Sequence, residues 1–371
     1  MRRAPPNATD PVTLRLQKAT ALHRAGKLDA ASAEYRRVLK RVPGHPLAIS
    51  GRAMVAYARG KTALALDTLM QVAPTLQSDP GFLMNLGTVQ TANEQWDVAE
   101  ASFRQAIALQ PDYADPYYNL GDLYLRQARP DAAIAVFDEC MAARGRDFHA
   151  LAYKAHALID AGETAAANQL LDYEGLVQKF EFADRVEPLS EFNTRIANWL
   201  ENHPTLTINA MSTRRGRHTG DLTKENTPPW REIEQLIRAA VSWYAQTIEV
   251  PDEHPMRHWR PRAWSPTAWG VVMHDGGHER THIHPNGWLS GVLYLRLPEL
   301  IEAPERRPEG WLEFGQPTPE LHVTQAPKLW HHQPRYGEMV LFPSYFYHGT
   351  VPFKGDETRV CLSFDIEPIK T

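Results

Sequence analysis

The chain has 371 residues, a formal net charge of -4, 43% hydrophobic and 23% charged residues, an ordinary globular composition too long for a single core, so two domains are expected. That charge and the lack of an arginine-rich run argue against nucleic acid as the main partner, and no stretch of about 18 apolar residues offers a membrane span. Two distant cysteines, Cys140 and Cys361, give neither a disulfide framework nor a CxxC zinc site, so any bound metal falls to histidines and carboxylates. The opening MRRAPPNATDPVT has two arginines but no apolar stretch behind them, which predicts a cytoplasmic chain with residues 1–11 as a disordered tail.

The composition changes near residue 180: before it lie one of ten tryptophans, ten of 29 prolines and four of 16 histidines. The first part reads as alanine-rich helices and the second as strands and Pro-punctuated turns, so the expected fold class is a two-domain α + β chain. Alanines recur at Ala31, Ala65, Ala99, Ala133 and Ala167, every 34 residues. Four residues after each stands a bulky side chain (Tyr35, Leu69, Phe103, Phe137, Leu171), and twelve before each a small one (Ala19, Ala53, Gly87, Gly121, Ala155). Small residues let antiparallel helices approach, and the bulky one is expected to fill space against the next repeat. Three of the five inter-helix turns carry a glycine, at Gly26, Gly60 and Gly162.

This pattern resembles the tetratricopeptide repeat, most closely in NLGTVQTANEQWDVAEASFRQAIALQP and NLGDLYLRQARPDAAIAVFDECM. The resemblance implies an all-α solenoid of five repeats over residues 12–181 whose concave surface binds a peptide, a protein or a second copy of the chain as a homodimer. Repeats two, four and five depart from the pattern in lacking the usual proline near their ends.

Residues 182–371 form the expected second domain. PLSEFNTRIANWLENHP and WREIEQLIRAAVSWYAQTI have helical periodicity and are expected to flank a sheet. AWGVVMH, LSGVLYLRL, GEMVLFP and TRVCLSFDI read as strands of an antiparallel sandwich or jelly-roll barrel. His282 and His284, one residue apart, would point the same way on a strand, and His348 follows another strand. Together they would make a three-cornered face with open metal positions, which is a catalytic rather than a structural geometry. Along TRVCLSFDI, Arg359, Cys361 and Ser363 share one face; an inward arginine is costly unless it meets an anion, and Ser363 adds a hydroxyl donor.

These residues make GGHERTHIHPNGWLSGVLYLRLPE and GEMVLFPSYFYHGTVPFKGDETRVCLSFDIEP similar to the iron(II) and 2-oxoglutarate dependent oxygenases, on a double-stranded β-helix. The resemblance is to a bacterial and phage HxHP subgroup related to prolyl and aspartyl/asparaginyl hydroxylases, and it extends from about Asn209, with STRRGRHTGDL as the opening. It implies His282 and His348 as metal ligands, Arg359 as the cosubstrate-carboxylate residue with Ser363, and Tyr294 as a further cosubstrate contact. The departure is His284, which stands where the family places an acid; it is expected either to be the third ligand or to turn aside for water. Implied cofactors are Fe(II) and 2-oxoglutarate, and the implied activity is hydroxylation of a peptide or protein recruited by the repeats. Two alternatives stay open: a three-histidine cupin without 2-oxoglutarate, for which the usual Glu is replaced by Trp288 or Leu289, and a non-catalytic interaction or scaffold protein. His274, His278, His331 and His332 are expected at loops or the pocket rim.

Overall fold

The computed structural model describes residues 10–186, 188–208 and 213–369. Most of the expected tail, residues 1–9, and the start of the STRRGRHTGDL stretch lie outside these residues. The chain divides into two compact units, Met1–Arg144 and Gly145–Thr371.

The first unit is built of helix pairs: Pro11–Arg24 with Leu28–Arg41, Pro46–Ala58 with Thr62–Met70, Pro80–Ala92 with Trp96–Leu109, and Asp115–Arg126 with Pro130–Arg144. The 34-residue alanines Ala31, Ala65, Ala99 and Ala133 are all fully buried. The first helix of a pair starts on proline in three of the four pairs, and Asp79 caps Pro80–Ala92 by accepting from the Phe82 amide at 2.7 Å, which satisfies a first-turn donor. Each turn within a pair passes through one left-handed residue, at Gly26, Gly60, Glu94 and Ala128. The turn geometry therefore repeats every 34 residues even where glycine does not.

The bulky residues divide into two groups. The Tyr35 ring occupies the space beside Gly51 of the following repeat, as the sequence suggests. Phe103 and Phe137 instead lie against Gly87 and Gly121 of their own repeats, where a Cβ would stand 2.6 and 2.2 Å from the ring. An aromatic ring needs the flat bed of a glycine backbone, and in these two repeats the nearest one is on the partner helix of the same pair.

The second unit opens with a fifth helix pair, Phe148–Asp160 and Thr164–Leu170, whose second helix is only 7 residues long. A sheet of seven strands follows the order β1-β8-β5-β10-β4-β3-β2, and a smaller one the order β7-β6-β9. The strands are β1 (Gln178–Phe180), β2 (Thr207–Ile208), β3 (Thr213–His218), β4 (Trp264–Glu279), β5 (Leu289–Arg296), β6 (Leu312–Phe314), β7 (Trp330–His332), β8 (Met339–Pro343), β9 (His348–Thr350) and β10 (Arg359–Pro368). All pairings are antiparallel, giving a jelly-roll-like domain flanked by the helices Leu189–Glu201 and Pro228–Thr247. The latter turns Ile233, Leu236, Ile237, Ala240, Val241 and Tyr244 inward, the periodic stripe of an amphipathic helix.

The boundary expected at 181/182 from composition is not where the compact units divide. Phe148 stacks on Tyr345 at 6.3 Å and meets Trp259 edge-on at 5.3 Å, and His156 packs on Tyr347. The Asp160 carboxylate accepts from the Thr324 and Gln325 amides at 2.8 Å, and the Tyr345 hydroxyl donates to the Leu170 carbonyl at 2.6 Å. The fifth helix pair thus has helical composition but packs as part of the β domain.

Candidate metal and cosubstrate site

Three neighbouring strands supply one wall. The register sets Arg359, Cys361, Ser363 and Asp365 of β10 opposite Met273, Val271, Trp269 and Thr267 of β4, and Cys361, Ser363 and Asp365 opposite Tyr294, Val292 and Ser290 of β5. Alternate side chains share a face, so nearly all of these residues line one cavity of about 260 Å³. Of their sequence neighbours, Val360, Leu362 and Ile366 are buried in the core, and Phe364, also buried, borders the cavity.

His282 and His284 are not on a strand. They lie in the extended connection from β4 to β5, where His282 and His348 exchange two backbone hydrogen bonds of 3.0 Å and the His284 amide donates to the Ser344 carbonyl. Gly349 permits this closeness, since a Cβ there would stand 2.9 Å from the Glu279 carbonyl oxygen. Trp288, 1% exposed, fixes the far end of the connection by donating from Nε1 to the Met256 carbonyl at 3.0 Å.

One ligand nitrogen from each of His282, His284 and His348 lies within 4.8 Å of the others. Every ring is oriented by its other nitrogen. His282 Nδ1 donates to the Arg280 carbonyl at 2.7 Å and His348 Nδ1 to the Phe346 carbonyl at 2.9 Å. A carbonyl only accepts, so Nδ1 carries the proton and the Nε2 lone pair is free. His284 Nδ1 faces Asp365 Oδ2 at 2.8 Å, and Asp365 is held by the Ser290 hydroxyl at 2.6 Å. A ligating imidazole backed by a carboxylate is the usual arrangement around metals.

His282 Nε2 and His284 Nε2 stand 3.1 Å apart, close enough for one cation to lie against both. Burial pushes His348 well below the usual imidazole range, helped by His282 and His284, and lowers His282 as well. Burial also presses on His284, but Asp365 outweighs it and raises that group. The donor set fits a divalent metal held through neutral nitrogen.

At the other end of the wall Arg359 is 2% exposed. Its guanidinium donates to Met273 Sδ at 3.5 Å and Cys361 Sγ at 3.8 Å, and lies over the Tyr294 ring at 5.2 Å. Arg359 Nε and Tyr294 Oη are buried with no hydrogen-bond partner among the described residues. A buried charge without an anion is costly, so this pair fits a carboxylate guest. Ser363 lines the same cavity.

Sequence alone does not single out Asp365, Ser290, Trp269, Glu279 or His218, all of which line the cavity. Asp365 carries a usable signal, since it continues the alternation Arg359, Cys361, Ser363. Of the histidines assigned to loops or the rim, none lines this cavity: His331 and His332 lie on β7 and pair with Glu313 and Glu338 at 2.9 and 2.7 Å, and His274 and His278 lie within β4. At the end of β4, beside β3, Glu279 Oε1 accepts from Thr213 Oγ1 at 2.6 Å and meets His218 Nε2 at 3.0 Å. Burial works against that carboxylate, but the His218 and Thr213 hydrogen bonds hold it down to about 2.

A helical repeat unit followed by an antiparallel barrel with a three-imidazole cluster and a buried arginine defines the class. Residues 267–365 match the family model described as "Putative 2OG-Fe(II) oxygenase", and residues 16–81 and 84–147 match that of the tetratricopeptide repeat. The chain thus resembles a tetratricopeptide array over residues 16–147 followed by a 2OG-Fe(II) oxygenase domain over residues 267–365.

Among curated proteins, Cellulose synthase 1 operon protein C of Komagataeibacter xylinus is 34% identical over 112 residues, 30% of this chain and 8% of that protein. Cellulose synthase operon protein C of Xanthomonas axonopodis pv. citri (strain 306) is 33% identical over 129 residues, 33% of this chain and 8% of that protein. The chain thus spans less than a tenth of the length of these relatives. Among solved structures, MamA protein is 20% identical, covering 47% of this chain and 95% of its own, with a TM-score of 0.37. A thermophilic TPR protein of Thermus thermophilus is 20% identical, covering 43% and 87%, with a TM-score of 0.38.

Proposed function

We propose that the chain is an Fe(II) and 2-oxoglutarate dependent hydroxylase whose substrate is a residue of a peptide or protein recruited by the repeats. What supports this reading is one cavity lined by His282, His284 and His348, with their converging nitrogens, and by Arg359 and Tyr294, whose Nε and Oη have no hydrogen-bond partner among the described residues. Iron with 2-oxoglutarate supplies the oxidising power for a C–H bond when bound.

The chain's own residues bind, orient and exclude water. His282, His284 and His348 present Nε2 lone pairs, and Asp365 keeps the His284 proton on Nδ1 so that the opposite nitrogen faces the metal. Arg359 offers a planar fork to the distal carboxylate of the cosubstrate, with the Tyr294 hydroxyl beside it and Ser363 further along the same cavity wall. Val271, Val292 and Phe342 make the remaining wall apolar, which keeps the oxidising centre dry. With His284 as third ligand the metal keeps its full dipositive charge, and the nearest compensating anion is Asp365 behind the ring.

The test is anaerobic. Fe(II) and then 2-oxoglutarate are added to the full chain and the weak visible absorption of the chelated keto acid is followed, with Arg359→Ala as control. Absorption that the control loses supports the reading. Iron binding without the absorption favours a three-histidine metalloprotein that does not use 2-oxoglutarate, and absence of metal binding favours a non-catalytic module.

A further inference from the structure

Seven buried side-chain nitrogen and oxygen atoms have no hydrogen-bond partner among the described residues, and three of them belong to residues lining this one cavity. Arg359 Nε and Tyr294 Oη are accounted for by the cosubstrate carboxylate. The third is Glu279 Oε2.

Glu279 ends β4, three residues before His282, and its two oxygens are treated differently. Oε1 is engaged by both Thr213 and His218, which fixes the carboxylate in one orientation. Oε2 is enclosed and accepts from no group among the described residues. A carboxylate present only to tie β3 to β4 would engage both oxygens, because a buried acceptor left unpaired costs about 1–3 kcal/mol. An oriented carboxylate with one unused oxygen in a substrate cavity awaits a donor from a guest.

Charge selects the kind of donor. Among the groups lining the cavity Arg359 faces two carboxylates, Glu279 and Asp365, and Glu279 meets His218 through Oε1 alone. A carboxylate binds a charged N–H more strongly than a neutral one, so the unused Oε2 favours a cationic guest. Trp269 adds an aromatic wall, which also favours cations. The cavity, about 260 Å³, admits a cosubstrate and one side chain.

We infer that Glu279, oriented by Thr213 and His218, is the substrate-positioning residue of this site, and that the side chain it receives carries a cationic nitrogen, as lysine or arginine does. The inference rests on the oxygenase reading and adds the chemical class of the substrate to it.

In the test, full-length protein loaded anaerobically with Fe(II) and 2-oxoglutarate is titrated with pools of short blocked peptides, randomised except for a central Lys, Arg, norleucine or Gln. The readout is perturbation of the visible absorption, which needs no turnover. The Lys or Arg pool is expected to act at concentrations at least about tenfold below the norleucine pool. Glu279→Gln is expected to erase that difference while the absorption still forms with 2-oxoglutarate. Should the substitution disturb the fold so that no absorption forms, Glu279→Asp keeps the charge and is expected to keep the preference for a cation. Equal response to norleucine, no response to any pool, or a preference surviving in Glu279→Gln overturns the inference and leaves the oxygenase reading standing. Failure of the wild-type absorption removes the oxygenase reading, and this inference with it.

Discussion

His284 Nδ1 and Asp365 Oδ2 stand 2.8 Å apart. The acid that the oxygenase pattern places beside the metal is here found on β10, one imidazole further out. Such backing raises ligand basicity and fixes ring orientation. Asp365→Ala is therefore expected to weaken metal retention about 10- to 100-fold. Asp365→Asn, which keeps an acceptor for Nδ1–H, should lie between the two. Equilibrium competition against a chelator measures this, and unchanged retention in Asp365→Ala would remove its role as orienter.

Tyr294→Phe should move stability and cosubstrate affinity in opposite directions. The hydroxyl is buried without a partner among the described residues, so its removal is expected to stabilise the unloaded chain, by up to about 1–3 kcal/mol. The same change should weaken 2-oxoglutarate binding about tenfold, the value of one hydrogen bond to a charged group. Thermal melts with and without the keto acid check both halves.

The unit boundary can be tested by truncation. Residues 145–371 should fold cooperatively alone, whereas residues 182–371 should not, because Tyr345, Tyr347 and Trp259 lose their cover. Phe148→Ala alone should cost about 3–5 kcal/mol, measured by denaturant unfolding of the 145–371 fragment.

Composition misplaces that boundary for a physical reason. The fifth repeat keeps Ala155 and Ala167 in register, so its helices read as solenoid. What attaches them to the barrel are rings on distant strands and loops, which no periodicity reveals. The lining of the candidate cavity was legible where alternation carries it, as with Arg359, Cys361 and Ser363, and where histidines cluster in sequence. Glu279 was not legible: it faces Thr213 directly but reaches His218 across a register shift between β3 and β4, and no spacing rule anticipates a bulge.

Ala128 and Glu94 hold the left-handed turn positions that glycine fills at Gly26 and Gly60, with φ of 54° and 58°. A side chain there costs about 1–2 kcal/mol, partly offset by the stiffer unfolded chain. Ala128→Gly and Glu94→Gly are each expected to raise stability by about 0.5–1 kcal/mol, and equilibrium unfolding of the full chain measures it.

His156 is 2% exposed, and burial lowers it to about 4. The unfolded chain binds the proton near 6.5 and the folded chain does not, so stability is full above that value and declines as pH falls toward about 4. The loss amounts to at most about 3 kcal/mol. His156→Gln should flatten the pH dependence of the 145–371 fragment in that window, and an unchanged slope would exclude His156 as its source.

One strand carries two duties that sit six residues apart. Arg359 and Asp365 are both on the inner face of β10, and at about 3.3 Å per residue their backbones are separated by about 20 Å. The strand therefore works as a gauge block: the anchor at one end and the stay of a ring at the other cannot drift independently. Inserting or deleting one residue between them would turn one of the two side chains away from the cavity and bring a core residue such as Val360 or Ile366 in its place. Changes of length in β10 between these two residues are thus barred.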